Sequence, residues 1–142
     1  MLSITLPTMK EQRLKVLKIE ADLNCQKIQD NLNAPHYPSV KIESLDSYSQ
    51  KHLLTEHEGW EAPHSDIVRA LFDQFQSIFP AYDSDSKLAA FLGLNGKQAD
   101  RRLREYKVGE KAIPYDIWRR FLVSTGRASQ EVIPVLGIFD LD

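Results

Sequence analysis

From Thr8 onward, Leu14, Val16, Leu17, Ile19, Leu23, Ile28 and Leu32 return at mixed three- and four-residue steps. That spacing predicts an amphipathic helix of about 20–24 residues. Thr8 is placed to cap it, with Glu11 three residues on in the capping-box position. Asn31, Asn33, Pro35 and Pro38 end it. Ahead of Pro7, LSITL at 2–6 alternates weakly, which suits a short strand or an extended arm. The stretch after the helix is irregular, although KIESLDSYSQKHLL allows a short helix from about Ser44 to Leu54. EHEGWEAP, with Gly59 and Pro63, is a loop signal and divides the chain into an N-terminal helical extension, 1–60, and a domain, 61–142.

The second region carries a tighter series. In APHSDIVRALFDQFQSIFP, Ile67, Ala70, Leu71, Phe75 and Ile78 share a helical face, and Pro80 closes it. Asp83 or Asp85 is the expected cap of a short helix with Leu88, Ala89 and Leu92 inward and Gly93 as its C′ residue. A third helix is expected over about Gly96–Val108, stopped by Gly109. A fourth starts at Pro114 and carries Ile117, Trp118, Phe121 and Leu122 to Gly126. SQEVIPVLGIF allows one or two helical turns, interrupted by Pro134. The fold class expected is all-α, a compact bundle of four to five helices with an N-terminal helical extension.

The 142 residues suit one domain with an extension, and 42% hydrophobic with 27% charged residues is ordinary globular composition. No apolar run approaches the ~20 residues of a membrane span, and MLSITLPTMKEQR lacks the basic and apolar regions of a leader. A single cysteine, Cys25, forms no internal disulfide and suits a reducing cytoplasm. The net charge of −2 conceals an uneven distribution: residues 86–128 hold ten Lys/Arg against four acids, a balance of +6, and the remainder stands at −8. A basic segment in an acidic chain points to a local polyanion contact or to a solvated helical face.

The stretch LAAFLGLNGKQADRRLREYKVGEKAIP, 88–114, bears on that choice. Its order is helix, glycine, turn, basic helix, glycine and a further helix, the order of helix-turn-helix domains. LAAFLGL and LREYKVGEKAIP resemble the Cro/C1 family of phage-repressor-type domains. Ala89 stands where the two helices of that motif cross, Gly93 at the turn and Tyr106 near the end of the recognition helix. Gly109 and Pro114 match its loop glycine and next helix start. The resemblance covers about 64–126, within a helix-turn-helix domain of about Ala62–Leu136. One departure stands out: Leu94 to Leu103 is nine residues, against about five in that family. The extra residues equal about one helical turn, which predicts a recognition helix lengthened at its N-terminus, over about 96–108.

With Ala99, Leu103 and Tyr106 inward, the outward positions are Lys97, Gln98, Arg101, Arg104, Glu105 and Val108. A major groove roughly 12 Å wide admits a helix, where Arg suits guanine and Gln suits adenine. The expected base-contacting residues are therefore Lys97, Gln98, Arg101 and Arg104. Lys87, Arg102, Lys107 and Lys111 are the expected phosphate contacts. The alternative is an exposed helix laced by Asp100–Arg104 and Arg101–Glu105 pairs, which could also hold arginines ready for DNA. Arg119 and Arg120 fall on the outer side of the last helix, as a solvated face or as phosphate contacts.

His36, His52, His57, His64 and Cys25 show no metal-ligand spacing, and no nucleophile elbow or phosphate loop is present. The expectation is no enzyme, no metal and no cofactor. The resemblance implies sequence-specific binding of double-stranded DNA by a cytoplasmic, repressor-like transcriptional regulator of a phage or other mobile element, acting as a homodimer. The 9–32 helix is a candidate dimer element. Two other readings stay open: an antitoxin that holds a toxin through 1–60, and a protein-interaction module that has lost DNA binding.

Overall fold

A computed structural model describes residues 3–140. It is all-helical, with five α-helices and no strand among the described residues. The chain forms two compact units: residues 39–132, and the N-terminal stretch to Pro38 grouped with the C-terminal tail from Ile133.

In the first of these in chain order, α1 runs over Met9–Asp30. Its capping box forms as expected: the Thr8 hydroxyl accepts from the Glu11 N–H at 3.2 Å, and the Glu11 carboxylate accepts from the Thr8 N–H at 3.1 Å. Asn31–Asn33 tightens into a 3₁₀ turn, and Ala34 is extended before Pro35. Residues 3–7 of the expected arm or strand have no regular structure, and Leu2 lies outside the described residues. The tail is irregular too, so the turns expected around Pro134 do not form. It meets α1 where the Arg13 guanidinium donates to the Phe139 carbonyl at 2.6 Å and Lys10 stands 3.8 Å from Asp140. No residue of α1 is buried.

The 39–132 unit carries the core. Its edge lies upstream of the 60/61 boundary expected from Gly59 and Pro63, because Val40, Ile42, Tyr48 and Trp60 pack on the core and His52 is buried in it. The helix expected over Ser44–Leu54 is instead two 3₁₀ turns, Leu45–Ser47 and Lys51–Leu53. Ser44 sits at φ +59° and Tyr48 is extended, so no continuous helical ladder can run through them. His52 is fixed by accepting a hydrogen bond at Nδ1 from Trp118 Nε1 at 3.1 Å.

Helix α2, Ser65–Ile78, is capped by His64, whose Nδ1 accepts from the Asp66 N–H at 3.0 Å. It buries Ile67, Val68, Leu71, Phe72 and Phe75. Helix α3, Asp85–Phe91, is capped by Ser84 and not by either neighbouring aspartate. Helix α4 spans Ala99–Val108 and α5 spans Tyr115–Ser124. Phe72, Phe75, Trp118 and Phe121 pack edge-on and stacked at the centre, with ring centroids 4.8–5.8 Å apart. Leu88, Leu92, Leu103 and Leu122 close around them, each at most 1% exposed. Aromatic pairs add ~0.5–1.5 kcal/mol each beyond the area they bury, so this cluster is the main anchor of the unit.

Candidate nucleic-acid interface

Helices α3 and α4 pack against each other, and α4 also packs on α2. Ala89 is fully buried, and Leu103 and Tyr106 face inward as the spacing required. The end of α3 is closed by Gly93 at φ +88°. Its N–H reaches the Ala90 carbonyl at 3.1 Å while the Leu94 N–H reaches Ala89 at 2.9 Å. That paired pattern is a Schellman cap, which needs the left-handed conformation that glycine adopts without strain. It brings Leu94 back onto the core.

The lengthened recognition helix does not form. Helix α4 begins at Ala99, and the extra residues lie in the turn, 92–98. A second left-handed glycine, Gly96 at φ +96°, stands within the predicted first turn of the helix, and that conformation is incompatible with a right-handed ladder. The Arg102 guanidinium then clamps the turn by donating to the Asn95 carbonyl at 2.5 Å. Lys97 and Gln98 are exposed in this turn and not on the helix. Gln98 is the N-cap residue and makes no side-chain cap.

Along α4 the outward residues divide sharply. Arg101 and Arg104 are exposed, with 68% and 57% of their side chains accessible. Each is held by an i,i+4 partner: Arg101 Nε to Glu105 at 3.1 Å, and Arg104 to Asp100 at 3.3 Å. Glu105, expected to point outward, is buried, and its second oxygen faces Lys111 at 3.3 Å. It thus acts as a fixed anion under two exposed cations.

Lys107 departs most from expectation. Its side chain is 13% exposed, and its Nζ donates to Gln76 at 2.7 Å, to Asp85 at 3.0 Å and to Asp73 at 3.1 Å. It ties α4 to α2 and to the start of α3, and its three protons are used inside the fold. Lys107 therefore leaves the set of phosphate contacts. Arg102 is half-buried at the Asn95 carbonyl, which makes it a turn clamp first. Lys87 stays exposed with an i,i+4 partner in Asp83 at 3.0 Å, and Lys111 stays 65% exposed. The exposed Lys87–Asp83 pair is worth ~0.2–1 kcal/mol, little enough for a phosphate to compete for Lys87, whereas the carboxylate beside Lys111 is the buried Glu105.

Two supports were not evident from spacing. Arg120 Nε donates to the Phe91 carbonyl at 2.7 Å, with its guanidinium 5.5 Å from the Phe91 ring centre, and so holds α5 to the end of α3. Arg119 is occupied by Glu131 at 3.5 Å and the Ser129 carbonyl at 3.0 Å. Arg119 is largely enclosed, with 13% of its side chain accessible, while Arg120 stays on the exposed face. The Asn95–Gly96 dipeptide is a turn signal that, given more weight, locates the start of α4.

Among the described residues no group of three or more His, Cys, Asp or Glu side chains is gathered that could hold a metal ion. No described helix is long and apolar enough to cross a membrane. No protein family, curated protein or solved structure matches the chain.

Proposed function

We propose that the 39–132 unit binds double-stranded DNA sequence-specifically through α4 in the major groove, as a cytoplasmic transcriptional regulator of the repressor type. The observation that carries this reading is the α3–α4 pair, packed through Ala89, Leu103 and Tyr106, with Arg101 and Arg104 standing outward on one exposed helix. Their carboxylate partners fix the guanidinium groups on the helix surface, which lowers the entropy lost when they engage a base edge. Lys97 and Gln98, in the turn before α4, are placed to meet backbone or bases beside it. Lys87 and Lys111 flank the helix and serve phosphates. The resemblance to Cro/C1 domains extends the proposal to a phage or other mobile element and to a homodimer on a two-fold site.

The test is selection of duplexes from a random library, followed by fluorescence anisotropy of the selected and scrambled duplexes over a salt series. Preference for the selected duplex, with a steep salt slope, is expected. Arg101→Ala removes the preference, because one bidentate arginine is worth ~1–3 kcal/mol of base discrimination. Lys87→Ala weakens binding to both duplexes and lowers the log–log slope by ~0.9. Absence of binding to any duplex at low salt overturns the DNA reading and favours a protein-interaction module.

A further inference from the structure

Arg101 and Arg104 look equivalent along the chain, since each stands on the outer strip of α4 with an acid one turn away. At about 100° per residue they lie roughly 60° apart around the helix, with the exposed Val108 between them. Their acids sit on opposite flanks and differ in kind. Glu105 is buried, with 10% of its side chain accessible, whereas 34% of the Asp100 side chain is open to water. Glu105 is also fixed along its length. Its carbonyl accepts from the N–H groups of Gly109 at 3.1 Å and Glu110 at 3.0 Å, which close the end of α4. Its Oε2, buried and without a hydrogen bond, stands 3.3 Å from the Lys111 ammonium. A carboxylate enclosed in this way is costly to hold unless cations stay beside it.

The two arginines also use different nitrogens. Arg101 donates to Glu105 from Nε at 3.1 Å, and Arg104 is held at Nη2, 3.3 Å from Asp100. A guanidinium carries one N–H on Nε and two on each Nη. Met end-on, its fork matches the O6 and N7 of guanine with one donor from each Nη. Arg101 keeps that pair whole, behind an anchored Nε. Arg104 has one member of the pair drawn toward an exposed acid.

We propose that Glu105 is the positioning residue of α4: by holding Nε it presents the tip of Arg101, and not that of Arg104, to the O6 and N7 of a guanine. This rests on the binding of DNA by α4 proposed above. Fixing the Arg101 side chain before the duplex arrives lowers the ordering cost of the base contact. Lys111 balances the second oxygen, so the buried carboxylate stays in place when the guanidinium engages a base.

The test takes a selected duplex and replaces each guanine in turn by 7-deazaguanine, which keeps O6 and base pairing but has C–H in place of N7. The readout is the ratio of the two dissociation constants, measured below the melting temperature of each variant. At one guanine the natural chain should show a ratio of about tenfold. Arg104→Ala leaves that ratio in place, and Arg101→Ala abolishes it. Glu105→Met, which fills the space without charge or acceptor, lowers it about threefold. Glu105→Gln, which still offers an oxygen to Nε, restores most of it. The ratio cancels any general gain in affinity from removing an anion near phosphates. A lower melting temperature for Glu105→Met with an unchanged ratio overturns the positioning role. Loss of the ratio in Arg104→Ala, or no guanine sensitive to the exchange, overturns the assignment to Arg101. That comparison leaves the buried position intact, so it decides the matter even where Glu105→Met does not fold. No binding to any duplex at low salt overturns the DNA reading and this inference together.

Discussion

Lys107 and Arg101 are both cations on α4, six residues apart in sequence, and the fold gives them opposite tasks. Lys107 is enclosed by Asp73, Asp85 and Gln76, and Arg101 is open to solvent over Glu105. Lys107→Met is expected to destabilise the protein by about 1–3 kcal/mol, because Asp85 and Gln76 lose a donor where solvent replaces it poorly. Thermal denaturation reads that loss, and the salt slope of DNA binding should stay unchanged. Arg101→Ala should remove base preference and cost less stability than Lys107→Met, because the Arg101 side chain is itself mostly exposed although it donates to the buried Glu105. Equal effects of both variants on stability would contradict this division.

His52 adds a pH dependence. Burial holds its pKa below the ordinary histidine value, and the positive charge of Arg127 acts in the same direction. Its Nδ1 must stay unprotonated to accept from Trp118. Below about pH 6.5 the unfolded chain takes up a proton that the folded protein resists, so stability falls as pH drops through that value. It levels off only below the lowered folded-state value. Urea denaturation at a series of pH values should show this slope, and His52→Gln, which can still accept from Trp118, should flatten it.

Among the elements, glycines decide where helices stop, but their surroundings set the cost of replacing them. Gly109, at φ +84°, ends α4 against the start of α2, and a Cβ there would lie 2.9 Å from Ser65 Oγ. Gly96, at φ +96°, faces open space. Gly96→Ala should therefore cost about 1 kcal/mol from backbone conformation alone. Gly109→Ala should cost more, since Ser65 must also shift, and thermal melts of the two variants give the comparison. The boundaries of α1, α2 and α5 were legible because their signals are local: the Thr8–Glu11 box, Pro80 and Pro114. The start of α4 was not. A turn of helix and a longer turn between helices conserve the same inward spacing of Leu94 and Leu103, and the left-handed Gly96 separates them.

In the molecule as a whole, the +6 balance of residues 86–128 overstates the cations that DNA could use. Lys107 and Arg119 are enclosed by partners within the 39–132 unit, while Lys87, Lys97, Arg101, Arg104, Lys111 and Arg120 remain exposed, Arg120 with its Nε on the Phe91 carbonyl. The core of that unit closes with its own residues, from Val40 to Ala128. A fragment of residues 39–132 should accordingly unfold cooperatively, with a melting temperature close to that of the full chain. Loss of cooperativity in the fragment would show that the core needs residues from outside it.

The all-helical class, the inward faces of α3 to α5 and the two arginines on the outer side of α4 follow from periodicity and caps, whereas α2 is turned so that Val68 and Phe72 are buried and Ala70 and Ile78 only half-buried. Periodicity and caps depend on neighbours a few positions apart, and such neighbours are adjacent in any fold the chain can take. The enclosure of Lys107 by Asp73 across 34 residues, the burial of Glu105 and the entry of residues 39–60 into the core depend on which faces meet. Spacing along a chain assigns a residue to a face of its own helix, but the charge or carbonyl opposite that face exists only once the helices have packed.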